Sequence, residues 1–388
     1  MAFPLPPNPP TELGRYRVLS NTAGVRVSPL VLGGASFGTA LADLLGPLDE
    51  QDTFKLLDAY VAAGGNFIDT ANGYQREQSE TFIGNWLASR GQRDTIFLAT
   101  KFTNAFCAHS ICMGKAVTYG GNHKKSLFLS VEASLKKLHT SYIDLLYVHW
   151  WDWTTSIEEL MDSLHVMVQQ GKVLYLGASD TPAWVVSAAN EYAKARGKTQ
   201  FSVYQGRWSL MQRDFERDII PMARQYGMAL CPWGVLGSGS FQTKKQLEAR
   251  KRADEGGRGS AEQSEEARNV SEVLKKVAAA HGTESIQQIA LAYAMQKTRN
   301  VFPVIGGRKV EHLYDNIAAL SIHLTDQEIK YLESVVTFDI GFPMNYIGED
   351  PREVGVQPPV MESLTGAKIA WQRSGKPIGH EDAVVTLG

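Results

Sequence analysis

The chain is poor in cysteine, lacks a long apolar run and carries almost no net charge, and each lack removes a class of protein. Three cysteines in 388 residues do not make the disulfide framework of a small secreted scaffold, so a reducing, cytoplasmic setting is expected. No apolar run reaches the roughly 18 residues of a membrane span, so no membrane partner is expected. A formal net charge of −2 offers no basic footprint for nucleic acid or an anionic lipid surface. The opening stretch, MAFPLPPNPPTELG, is proline-rich and lacks the basic-then-apolar layout of a signal peptide. Residues 1–16 are therefore expected as an extended, poorly ordered arm. The dinucleotide fingerprint G-x-G-x-x-G is missing too. LGGASFG, after the first strand-like run, does not match it and has no charged ribose partner behind it.

What remains is globular: 44% apolar and 21% charged residues, enough for a sizeable core. Short apolar runs alternate with longer amphipathic ones. The strand-like runs are Pro29 to Leu32, Asn66 to Thr70, Ile96 to Lys101, Ile143 to His149, Val173 to Ser179, Phe201 to Gln205, Met228 to Trp233 and Val301 to Ile305. Helix-like runs such as DTFKLLDAYVAAGG and SIEELMDSLHVMVQQGK lie between them, several ending at a glycine. Eight strands alternating with helices imply a parallel sheet covered by helices. The count favours a (β/α)8 TIM barrel of the α/β class over an open doubly wound sheet. RYRVLSNTAGVRVS resembles a β-hairpin that would plug the barrel floor. The expected boundaries are 1–16 for the arm, 17–338 for the barrel and 339–388 for a C-terminal extension. Two long segments should lie at the C-terminal face, after the third and seventh strands. The second, Thr243 to Arg268, is so rich in charge that a mobile, solvated loop is expected, with folding over a bound cofactor as the alternative.

Strand C-termini carry the chemistry of such a barrel. The second strand ends in Asp69 with Tyr74 just beyond, the third in Lys101, the fourth in His149, the fifth in Ser179 and Asp180, and the sixth in Gln205. Lys101 paired with Asp69 would favour the phenolate of Tyr74, and a neutral His149 could hydrogen-bond the phenol or a substrate oxygen. A tuned phenol is a general acid for a carbonyl oxygen. A hydride would have to come from a cofactor.

FIDTANGY, LATK and YVHW resemble the Asp–Tyr–Lys–His tetrad of the aldo-keto reductases. The resemblance runs from about Arg17 to Phe338. It implies a TIM barrel, NADP(H) rather than NAD(H), and metal-free reduction of a small carbonyl substrate or oxidation of its alcohol. The stretches YVHWWDWTTSIEELMDSLHVMVQQGKVLYLGASDTPAWVV, PVIGGRKVEHLYDNI and FDIGFPMNYIG look like the fungal aryl-alcohol dehydrogenases and norsolorinic-acid-reductase-like members. By that resemblance the catalytic residues are Asp69, Tyr74, Lys101 and His149. Ser179, Asp180 and Gln205 would hold the nicotinamide carboxamide; Asp180 stands where the family has Asn and so lacks a donor. Trp233 would stack on the ring. Gly237 belongs to a glycine-rich run, Gly237 to Ser240, that could approach the pyrophosphate. Gly307, Arg308, Lys309, His312 and Asn316 match the adenosine-phosphate loop, with Arg308 and Lys309 on a 2′-phosphate and Asn316 on adenine.

Plainer readings stand beside these. Asp69 and Lys101 could be a structural ion pair, and His149 a satisfied core histidine. Trp150 and Trp151 could pack the core or line an aromatic substrate pocket. Cys107, His109, Cys112 and His123 lack the paired spacing of a zinc site, so no metal is expected. A cofactor-binding regulatory subunit of the same fold, with little turnover, is the alternative function. An aldolase using Lys101 as a Schiff base is disfavoured, because Asp69 would raise the lysine pKa. A homo-oligomer stays open.

Overall fold

The computed structural model describes residues 5–252 and 262–379. A hairpin comes first, β1 (Arg17–Ser20) antiparallel to β2 (Ala23–Val27). Eight parallel strands follow: β3 (Val31–Gly33), β4 (Phe67–Asp69), β5 (Phe97–Phe102), β6 (Ile143–Val148), β7 (Val173–Ser179), β8 (Phe201–Arg207), β9 (Ala229–Trp233) and β10 (Val304–Ile305). Their order is β10-β3-β4-β5-β6-β7-β8-β9. The seam between β9 and β10 is bridged where the Phe302 N–H donates to the Leu230 carbonyl at 2.8 Å and the Leu230 N–H to that of Asn300 at 2.9 Å. The sheet is a nearly closed TIM barrel, with helices outside.

Local sequence explains where these helices start and stop. Asp49, Ser156, Ser264 and Ser285 each accept a backbone N–H three residues on, capping the helices Glu50–Ala62, Ile157–Gln169, Glu265–Ala280 and Ile286–Lys297. Gly64, at φ +101° just past the first of these, turns the chain back toward β4 in a conformation that side chains rarely adopt.

Period-two alternation then sorts each strand. Ile68, Leu98, Leu146, Leu176 and Leu230 point outward into the core shared with the helices. Phe67, Phe97, Leu145, Val203 and Ala229 point inward, where they meet Leu19, Ala23 and Val27 of the hairpin and Phe302. The hairpin thus packs on the barrel floor. Each such fully buried large side chain contributes about 1.5–3 kcal/mol. Further along the same inner faces, at the other mouth, stand Asp69 and Gln205, two residues on from Phe67 and Val203, and Lys101 and Trp233, four on from Phe97 and Ala229.

Two peripheral segments differ from expectation. The arm is not loose throughout: Glu12–Gly14 forms a 3-10 turn, Leu13 is buried in the main core and the Thr11 hydroxyl donates to the Ala63 carbonyl at 2.7 Å. One apolar side chain with a slot to fill was enough to dock it. Residues 1–4 lie outside the described residues. The charged stretch is not all loop either: Lys244–Arg252 is a helix, and residues 253–261 lie outside the described residues. The tail runs down the outer wall. Arg217 donates to the Asp339 carbonyl, and Glu353 accepts from Arg299 at 3.0 Å and pairs with Arg224 at 3.3 Å. Arg224 and Arg299 precede β9 and β10, so they mark the floor side. Residues 380–388 lie outside the described residues. Among the described residues no helix is long and apolar enough to cross a membrane.

Candidate active site

The inner faces of β4 and β5 bring Asp69 and Lys101 together. Lys101 Nζ donates to Asp69 Oδ1 at 2.5 Å and to the Thr70 carbonyl at 2.7 Å, and both side chains are buried. Burial pushes the Lys101 ammonium toward neutrality, but Asp69 and then Tyr74 more than offset it, so its pKa lies above the ordinary lysine value. Asp69 is doubly held, because Gln205 Nε2 donates to its other oxygen at 3.0 Å from across the barrel.

Tyr74 begins a one-turn 3-10 segment after β4. Its ring lies 5.0 Å from Lys101 Nζ, and its hydroxyl is hydrogen-bonded to that ammonium. His149, just past β6, meets the Tyr74 ring edge to face at 5.7 Å. Burial, then the Lys101 charge, hold the imidazole pKa well below the usual histidine value, so the ring is neutral. The Asn104 amide nitrogen faces His149 Nδ1 at 3.5 Å. Nδ1 is then the acceptor, and the proton sits on Nε2. Asn104 was not legible as a site residue; its place three residues past Lys101, after β5, was the available signal.

Asp69, Tyr74 and His149 line one end of a cleft of about 900 Å³ at the C-terminal mouth. Ser179, Asp180, Gln205 and Trp233 share that end. The Trp233 indole N–H and, at 3.4 Å, the Ser179 hydroxyl donate to the Asp180 carboxylate. Solvent reaches Asp180 through the cleft, yet protein surrounds its other sides. Burial therefore raises its pKa above the usual carboxylate value, opposed by Trp233, Ser179, Lys101 and Arg207. Gly307, Arg308, Lys309, His312 and Asn316 line the other end of the cleft. Gly237 is buried under Phe241, and its neighbours Gly234, Ser238 and Gly239 form the wall instead.

Trp150 lies on the cleft wall, tilted over His149 at 4.6 Å, whereas Trp151 packs against the main core. The wall also includes Gln242, Gln246 and Ala249, so part of the charged stretch borders the cleft; no tail residue does so among the described residues. Cys107, His109, Cys112 and His123 form no group able to hold a metal among the described residues. His123 instead caps the helix Lys124–Lys137, accepting from the Ser126 N–H at 3.2 Å.

The donor set fits a long, two-ended anionic ligand such as a nicotinamide dinucleotide. One end offers amide, hydroxyl and aromatic groups, the other an arginine and a lysine. Between them Gly234 and Gly239 have φ of +73° and +92°, and Gly306 has no neighbour within 4 Å of where a Cβ would stand, so bare backbone faces the gap.

Residues 29–337 match the Aldo/keto reductase family. A Saccharomyces cerevisiae protein provisionally named aryl-alcohol dehydrogenase is 61% identical over 348 residues, 89% of this chain and 93% of that one. The aldo-keto reductase ausK of Aspergillus calidoustus is 55% identical over 379 residues, 97% and 95% of the two chains. The norsolorinic acid reductase of Aspergillus flavus is 51% identical over 353 residues, 91% and 89% of the two chains. The chain belongs to the aldo/keto reductase family.

Proposed function

We propose that this chain is an NADPH-dependent reductase of aldehydes and ketones, working reversibly on aryl aldehydes and aryl alcohols or on aromatic polyketide intermediates. The observation that carries the proposal is the meeting of Asp69, Lys101, Tyr74 and His149 at one end of the cleft. When bound, the nicotinamide supplies the hydride, which no side chain can provide.

The protein's own part is a proton and a position. Tyr74 gives its proton to the carbonyl oxygen as the oxygen gains charge. Lys101 stabilises the phenolate left behind, and Asp69 keeps that lysine charged in a buried place. His149, neutral and protonated on Nε2, donates to the same oxygen and aligns it. Trp150 offers an aromatic wall to the substrate. Ser179, Asp180, Gln205 and Trp233 hold the nicotinamide end. Gln205 donates one N–H to Asp69 and offers its carbonyl to a carboxamide. Arg308 and Lys309 hold the 2′-phosphate, with His312 and Asn316 beside the adenosine.

The test is the fall in absorbance at 340 nm when NADPH and an aromatic aldehyde meet the protein. Tyr74→Phe should keep NADPH binding and lose about 100-fold or more in turnover, since the proton donor alone is removed. Wild-type rates of single-turnover hydride transfer in that variant would remove Tyr74 from the role.

A further inference from the structure

Asp180 is the charged group of the nicotinamide end that the tetrad chemistry does not use. Its backbone is left-handed, at φ +41°, and its N–H donates to the Gln205 carbonyl at 3.0 Å. The carboxylate faces the cleft with Trp233 and Ser179 as donors. Trp233 ends β9 and Asp180 follows β7, so the contact passes over the end of β8 and holds the carboxylate beside the aromatic wall. Neither donor is a cation, so the negative charge is held there without being neutralised by contact. An asparagine would accept the same two hydrogen bonds with no charge. The carboxylate therefore adds an electrostatic preference to a site whose hydrogen bonding does not require one.

We propose that Asp180 makes this cleft discriminate between the two oxidation states of the nicotinamide, binding the oxidised, cationic ring in preference to the reduced, neutral one. This deepens the reading of the cleft as an NADP(H) site and rests on it. The two forms differ by one positive charge on the ring and share the adenosine and phosphate groups. Contacts at Arg308, Lys309 and Asn316 therefore cancel in the ratio of affinities. A fixed carboxylate at the ring end does not cancel: it attracts the cation and leaves the neutral ring nearly indifferent. In a partly solvated cleft, a unit charge a few ångströms from another shifts such a ratio by about tenfold. The effect works on the bound equilibrium, stabilising the state that accepts hydride from an alcohol. Lys101 and Arg207 also act on Asp180. Their charges are the same in both states and set the ionisation of Asp180, not the difference.

The experiment is calorimetric titration of wild type, Asp180→Asn and Asp180→Ser with NADP⁺, with NADPH and with adenosine 2′,5′-bisphosphate, which lacks the ring. Both variants should weaken NADP⁺ about tenfold relative to NADPH and leave the bisphosphate unchanged. The serine variant removes the charge by another route if the asparagine variant folds poorly. An unchanged NADP⁺ to NADPH ratio in a folded variant overturns the proposal and leaves the cofactor site standing. Wild type that binds none of the three ligands overturns the cofactor reading, and this proposal with it.

Discussion

Replacing Lys101 by Met tests both halves of the site at once. The substitution keeps the apolar stem and removes an ammonium that is hydrogen-bonded to Asp69 and the Thr70 carbonyl with no solvent contact. Deleting one partner of a buried ion pair costs about 3–5 kcal/mol, because the other charge stays buried. Asp69 keeps Gln205 as a donor, but it can also escape by taking up a proton. For a carboxyl whose unfolded pKa is about 3.9, that escape costs about 4 kcal/mol at pH 7 and about 1.5 kcal/mol at pH 5. The penalty is therefore capped, and the cap falls with pH. In the variant Asp69 titrates higher folded than unfolded, so the folded state binds the extra proton and stability falls as pH rises through that window. Denaturant melts should show Lys101→Met several kcal/mol below wild type at pH 7 and much closer at pH 5. Adding Asp69→Asn should recover most of the stability at pH 7 and none of the turnover, since the phenol still lacks its cation. A penalty of equal size at both pH values, or no recovery in the double variant, would refute the view that an unpaired carboxylate is what the lysine prevents.

Arg308→Glu should weaken NADPH by about 2–4 kcal/mol and leave NADH almost untouched, read by fluorescence titration of both cofactors; equal losses would mean that Arg308 supports the loop. Trp150→Ala should raise KM for aryl aldehydes more than for short aliphatic ones, whereas an equal loss with a lower melting temperature would assign Trp150 to packing. Because burial and Lys101 hold His149 well below its ordinary pKa, the pH profile of kcat should show no loss between pH 7 and 6 that His149→Gln abolishes. A histidine titrating normally would give one.

The barrel and the four strand-end residues were legible because period and position are local properties. A short apolar run that turns polar at its last inward position reports a strand and its mouth together, as Phe67-Ile68-Asp69 and Phe97 to Lys101 do. Contacts across the lumen were not legible. Gln205 reaches Asp69 from β8 to β4, on the opposite side of the barrel. No sequence spacing encodes which inward residues meet over a barrel of this diameter. The assignment of Trp151 failed to separate it from Trp150 for the same reason. Adjacent residues past a strand end point to different sides, and one met the cleft while the other met the core. Charge density misled at Lys244–Arg252, where a helix carries the same charge-rich composition as a solvated loop.

Least legible of all was the segment that aims Tyr74. Gln75, Arg76 and Glu77 have φ of +51°, +51° and +79°, and YQREQSE contains no glycine to announce it. Each such residue costs about 1 kcal/mol or more. The surroundings supply the opposing contacts. The Gln75 side chain accepts from the Leu41 N–H at 2.8 Å and donates to the Ala35 carbonyl at 3.3 Å. Gln78 accepts from the N–H groups of Thr39 and Ala40. Lys137 pairs with Glu77 at 3.1 Å and with buried Glu80 at 2.7 Å, and donates to the Asn72 carbonyl at 3.0 Å. Hydrogen bonds to charged groups are worth about 1.5–3 kcal/mol each, so three of them match the strain. The turn is thus held from two sides: by the helix Lys124–Lys137 behind it, and by the loop of residues 35–41, whose Ala35 and Ser36 form part of the cleft wall. Anything that presses on that wall presses on the segment that points the phenol at Lys101.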